Sequence, residues 1–188
     1  MIDNPPPLIS QQELRDRVRE LGEEITKDYQ GKDTLRVIGA LKGCFVFMAD
    51  LIREIKIPVR VDFMEVSSYG NQAQTSGNVK IIKDLTHDIA GEHVLFTEDI
   101  VDTGLTLNFV MEILSQRNPA SLEICALLTK PRKMALRFPV KYRGFEIEDY
   151  FVVGYGLDYK GYYRNLPYIG KISSPEQLPL FDEKARFS

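Results

Sequence analysis

The feature that most constrains this chain is an alternation. Short runs rich in apolar and β-branched residues take turns with segments whose apolar residues recur at helical spacing. Residues 35–40, 59–67, 79–83, 93–98, 121–128 and 151–154 have the content of strands. Residues 11–29, 44–55 and 105–117 have the period of helices. The first of these opens on a capping pattern, Ser10 with Glu13, and carries Leu14, Val18, Leu21 and Ile25 on one face before Gly31 closes it. Pro58 stops the second. Strands that alternate with helices are buried on both faces, so an α/β fold is expected: a mainly parallel sheet flanked by helices. The 188 residues suit a single domain, and no internal repeat divides them.

Composition removes several classes of function. The formal charge of −3 gives no basic field for nucleic acid. Cys44 and Cys125 form no CxxC pair, and both sit among apolar residues, as buried free thiols do. His87 and His93 match no zinc pattern. The start of the chain lacks the basic and apolar regions of a signal peptide, and no apolar run approaches the ~20 residues that span a bilayer. The expected location is the cytoplasm, with no membrane partner. Residues 68–78 have almost no apolar anchor and read as a long exposed loop, either a plain connector or a functional segment.

Chemistry concentrates between Val94 and Leu107. An apolar strand runs into two adjacent carboxylates, Glu98 and Asp99; a third, Asp102, follows, then Thr103, Gly104 and Thr106 where a helix begins. Ligands of open α/β sheets bind at the carboxyl ends of strands. The unpaired N–H groups of a helix start attract anions such as phosphate, threonine hydroxyls add donors, and glycine lets the backbone come close. Asp102 or Thr103 could equally serve as a simple helix cap. That leaves the adjacent Glu98 and Asp99 unexplained, because like charges so close call for cations, hydroxyl donors or water. The segment therefore reads as a phosphate-and-sugar site. It is not a P-loop, since G-x-x-x-x-G-K-[ST] is absent.

Residues 98–106, Glu-Asp-Ile-Val-Asp-Thr-Gly-Leu-Thr, resemble the phosphoribosyl pyrophosphate motif of the type I phosphoribosyltransferases. A closer resemblance, to the hypoxanthine–guanine phosphoribosyltransferases, covers roughly residues 10 to 172 in four ordered blocks. These are Leu41-Lys42-Gly43, Ser68-Tyr69-Gly70, residues 98–106, and the run from Phe151 to Asp158 that ends at Arg164. The resemblance implies the type I fold, with a core over about residues 35–130 and a small hood lobe from the two chain ends. It implies transfer of 5-phosphoribosyl from its pyrophosphate donor to N9 of hypoxanthine or guanine, giving IMP or GMP and pyrophosphate, with Mg2+ as cofactor. Dimers and tetramers are common in the family. A related transferase for xanthine or another base, and a nucleotide-sensing RNA-binding regulator on the same fold, are the alternatives; the negative net charge weighs against the second.

By this resemblance Glu98 and Asp99 hold the ribose hydroxyls and, with Asp158, magnesium. The loop Asp102, Thr103, Gly104, Leu105, Thr106 and Leu107 cradles the 5′-phosphate, and Asp102 is the general base near the purine N7. Lys42, Gly43 and Arg164 hold pyrophosphate, and the Leu41–Lys42 peptide is cis. Lys130 donates to the purine 6-oxo group, Phe151 stacks on the base, Val152 bonds it through its backbone, and the Asp158 backbone meets the purine 2-position. Ser68 and Tyr69 close over the site on a mobile loop. Cys44 departs from the family, where a small residue is frequent. Taken singly, Lys42, Lys130, Asp158 and Arg164 would pass for surface charges, and Phe151 and Val152 for core strand residues.

Overall fold

Each apolar run becomes a strand because its successive side chains enter two dry layers. The computed structural model describes residues 4–68, 79–131 and 135–172. In chain order these form β1 (Pro7–Ile9), α1 (Gln11–Asp28), β2 (Leu35–Leu41), α2 (Phe45–Glu54), β3 (Val59–Ser68), β4 (Val79–Lys83), β5 (His93–Val101), α3 (Leu105–Ser115), β6 (Ser121–Thr129), β7 (Val140–Glu146), β8 (Phe151–Val153) and β9 (Ile169–Ile172). On β5, Leu95 packs into the cluster that includes Leu14, Leu21, Phe47 and Leu51 of α1 and α2. Its neighbours Val94 and Phe96 pack into a second cluster with Val110, Met111 and Leu114 of α3. The period-two alternation of a strand produces both layers from one run of sequence. Helix α1 starts as its pattern requires: the Glu13 N–H donates to Ser10 Oγ at 3.3 Å and the Ser10 N–H donates to Glu13 Oε2 at 2.8 Å.

The main sheet has six strands in the order β4-β3-β2-β5-β6-β7. Its neighbours are parallel except for β3 and β4. The chain leaves β2 toward β3 and β4, then returns on the opposite side of β2 as β5. Connections therefore depart in opposite directions from the β2–β5 boundary, which opens a crevice at the carboxyl ends of these two strands. A second sheet, in the order β1-β9-β8, is assembled from both ends of the described chain.

Three strands were absent from the sequence reading: Pro7–Ile9, Val140–Glu146 and Ile169–Ile172. The first and last are too short to display a period, and β7 is an edge strand with polar residues on its outer face. With β7 the sheet reaches past residue 130. Strand β5 also runs on through the acidic pair to Val101, because Ile100 and Val101 pair with Leu128 and Thr129 of β6. Among the described residues no helix is long and apolar enough to cross a membrane.

Candidate active site at the crossover of the sheet

At the crevice, backbone and carboxylates meet closely. A Cβ added to Gly43 would overlap the Asp99 carboxylate, and one added to Gly156 would overlap the Gly43 carbonyl. The end of β2, the end of β5 and the 154–164 segment therefore touch here, and glycine is required where they do. The Leu41–Lys42 peptide is cis. Lys42 is exposed, and Cys44 lies fully buried beneath the turn. Burial, chiefly, and then the nearby Glu98 and Asp99 charges push its thiol well above the ordinary range. That thiol is a packing group under the loop, not a nucleophile.

Glu98 and Asp99 sit half-buried at the head of β5. Burial raises Glu98 well above the usual carboxylate range, and the Asp99 charge adds to it. Burial also pushes Asp99 up, to about 6, with Asp158 raising it further; the Ile100 N–H, which donates to Asp99 Oδ1 at 3.0 Å, and Arg164 oppose the rise. Such a pair gains by meeting a hard cation or sugar hydroxyls.

Beyond Val101 the chain turns into α3 through Gly104, whose φ of 81° lies in the left-handed region. Gly104, the N-cap, has no side chain with which to cap the helix. Thr103 Oγ1 accepts from the Leu105 N–H at 3.5 Å, and the amides of a helix's first turn, which lack intrahelical partners, are donors of the kind that attract anions. Thr103 is exposed and Thr106 half-buried, whereas Leu107 is buried and can offer the loop only its backbone. The loop is held from behind. The Ala135 N–H donates to the Thr103 carbonyl at 3.0 Å. Buried Asn108 donates from Nδ2 to the Ala135 carbonyl at 2.8 Å and accepts from the Arg137 N–H at 2.8 Å. Sequence reading passed over Asn108; the signal was a polar residue on the buried face shared by Leu107, Val110, Met111 and Leu114.

Asp102 and Lys130 come together from the ends of β5 and β6. Lys130 Nζ lies 3.5 Å from Asp102 Oδ2 and 3.4 Å from Asp149 Oδ1. Asp102 Oδ1 is buried and, among the described residues, has no hydrogen-bond partner. A lone buried acceptor costs about 1–3 kcal/mol, which an incoming N–H recovers. Phe151 is 41% exposed and meets Tyr159 edge-on, with ring centroids 5.6 Å apart. Val152 is buried on β8, the outer strand of the small sheet, where one edge carries backbone groups outside the ladder.

Arg164 donates from Nη1 to the Gly156 carbonyl at 2.6 Å and pairs through Nη2 with Asp158 Oδ1 at 2.7 Å. Asp158 Oδ2 accepts from the Gly161 N–H at 2.6 Å. Both Asp158 oxygens are thus engaged, and among the described residues no three acidic, histidine or cysteine side chains converge as a metal cage. Glu98 and Asp99 remain adjacent, which fits a small hard cation that keeps one or two protein carboxylates and takes its other ligands from water and phosphate. The 154–164 segment is fastened to α2 by the Tyr155 hydroxyl, which donates to Asp50 Oδ2 at 2.5 Å. Tyr69 and the Ser68 side chain lie outside the described residues.

The fold is an open α/β sheet with a switch point, and paired carboxylates and a helix start meet at its strand ends. The sequence matches the phosphoribosyl transferase domain model over residues 9–160, and the chain belongs to that family. It is 54% identical over 167 residues to the hypoxanthine phosphoribosyltransferase of Haemophilus influenzae, covering 88% of this chain and 93% of that one. It is 50% identical over 163 residues to the hypoxanthine-guanine phosphoribosyltransferase of Bacillus subtilis, covering 87% and 90%. The crystal structure of a hypoxanthine phosphoribosyltransferase from Staphylococcus aureus superposes with a TM-score of 0.86 at 46% identity, over 93% of this chain and 94% of that one.

Proposed function

We propose that the chain transfers 5-phosphoribosyl from phosphoribosyl pyrophosphate to N9 of hypoxanthine or guanine, releasing IMP or GMP and pyrophosphate. The observation that carries this reading is the unpaired, buried Asp102 Oδ1 at the head of the amide cradle, with Lys130 beside it. An acceptor and a cationic donor side by side match the N7–H and 6-oxo edge of a 6-oxopurine; adenine, with a 6-amino donor, would oppose Lys130.

In this reading the cradle from Asp102 to Leu107 holds the 5′-phosphate, and Glu98 and Asp99 take the ribose hydroxyls. Lys42, the Gly43 amide and Arg164 hold pyrophosphate, the guanidinium through paired N–H donors. As the bond from the ribose carbon to pyrophosphate breaks, that carbon gains cationic character and the bond to N9 forms. Asp102 accepts the N7 proton as N9 attacks. Glu98 and Asp99 would hold magnesium, which would supply positive charge beside the departing pyrophosphate. Asp158, now paired with Arg164, is the third candidate ligand, and its backbone meets the purine 2-position. Phe151 stacks on the base and the Val152 backbone bonds its edge, so the small sheet works as a hood. Ser68 and Tyr69 close over the reacting carbon and keep water from it. The chain works in the cytoplasm as a homodimer or homotetramer, which sedimentation measures.

The test is direct product analysis. With the donor, magnesium and hypoxanthine or guanine, the nucleoside monophosphate is expected in amounts equal to the pyrophosphate released. Absence of nucleotide with either base would remove the proposal.

A further inference from the structure

We infer that Asp149 is a positioning residue for purine recognition: it anchors the Lys130 ammonium on the side away from Asp102. The inference rests on the reading of Lys130 as the donor to the 6-oxo group. Lys130 has a side chain only 10% exposed, between Asp102 Oδ2 at 3.5 Å and Asp149 Oδ1 at 3.4 Å. An ammonium so enclosed needs anionic partners, because an unpaired charge out of water is costly. The two partners are not equivalent. Asp102 has an unpaired oxygen and takes the N7 proton during transfer, so its negative charge is neutralised at the step when the 6-oxo group needs its donor. Asp149 is 56% exposed and takes no proton in the transfer step. It is the carboxylate that keeps Lys130 paired while Asp102 is occupied. An ammonium has three donors, enough for Asp149, Asp102 and a 6-oxo oxygen together.

The location of Asp149 supports this role. It lies in the link between β7 and β8, two residues before Phe151. That link is tied to the end of β6, since the Ile147 N–H donates to the Thr129 carbonyl at 2.9 Å, one residue before Lys130. One short segment therefore fixes the donor to the base edge and leads into the aromatic residue that faces the base plane. The Lys130 N–H in turn donates to the Val101 carbonyl at 3.0 Å, next to Asp102, so donor and acceptor are locked to adjoining strand ends.

The experiment is steady-state kinetics on the full chain for Asp149→Asn, Asp149→Glu and Lys130→Met, with melting temperatures. Asp149→Asn should raise KM for hypoxanthine about fivefold, in line with losing one partly screened charge contact, while KM for phosphoribosyl pyrophosphate stays within about twofold. Asp149→Glu should recover most of the loss. A purely structural role would lower the melting temperature and move both KM values together, and that result overturns the inference. If Lys130→Met raises the base KM and Asp149→Asn does not, the Asp149 assignment alone is overturned. If Lys130→Met leaves the base KM unchanged, the Lys130 reading itself is overturned.

Discussion

Asp102 and Asp99 sit three positions apart and carry opposite burdens. Asp102 has a buried oxygen that no group among the described residues bonds. Replacing it with asparagine keeps the shape and removes the charge, so kcat should fall about two to four orders of magnitude. Donor affinity, measured by calorimetry, should change less than about tenfold, because a partly exposed carboxylate contributes little to binding. Full turnover in Asp102→Asn would dismiss it as the base. Asp99 is strained electrostatically by its burial. Its carboxyl is pushed up to about 6 from an ordinary 3.8, chiefly by burial, so the fold favours its protonated form. The stability from that preference is complete below the ordinary value and is lost as pH rises through about 6. With chelator and no substrate, the melting temperature should therefore lose a component between about pH 4 and 7. Asp99→Asn should remove the Asp99 share of that loss, leaving the share set by the burial of Glu98, and melt higher than the parent at neutral pH, while losing activity. A variant that melts lower at neutral pH would contradict the charge account.

At the scale of elements, β5, its turn and α3 form one unit whose rear support is Asn108. Removing that amide in Asn108→Ala strands the Ala135 carbonyl and the Arg137 N–H, at a cost of about 1–3 kcal/mol in urea unfolding. KM for phosphoribosyl pyrophosphate should rise with it, since the Thr103 turn loses its backing. Unchanged stability and KM would show that the 135–137 segment holds itself in place. This unit also shows how far sequence carries. The strand, the acidic pair and the helix start were all legible, because local composition dictates them. Their meeting with Gly43, Gly156 and Arg164 was legible only through resemblance, since contacts between distant segments leave no periodic trace. Asn108 and Asp149 escaped even that: each acts on a neighbour's position, and neither belongs to a recognisable motif. The strands Pro7–Ile9, Val140–Glu146 and Ile169–Ile172 escaped because tertiary pairing, not their own composition, makes them strands.

For the whole molecule, topology explains how the proposed sugar-phosphate and base sites come to lie side by side. The parallel sheet delivers the ends of β2, β5 and β6 to one crevice, and the small sheet from the chain ends supplies Phe151 and Val152. On the proposed reading, the donor half of the site rests on backbone amides and carboxylates fixed by the main sheet, and the base half on side chains of separate segments, so base preference is the more demanding claim. It is tested most directly by pyrophosphate release from phosphoribosyl pyrophosphate and magnesium, with hypoxanthine, guanine, xanthine, adenine and uracil offered in turn. The account predicts rapid release with hypoxanthine or guanine and none above background with adenine or uracil; release with adenine matching that with hypoxanthine would contradict it.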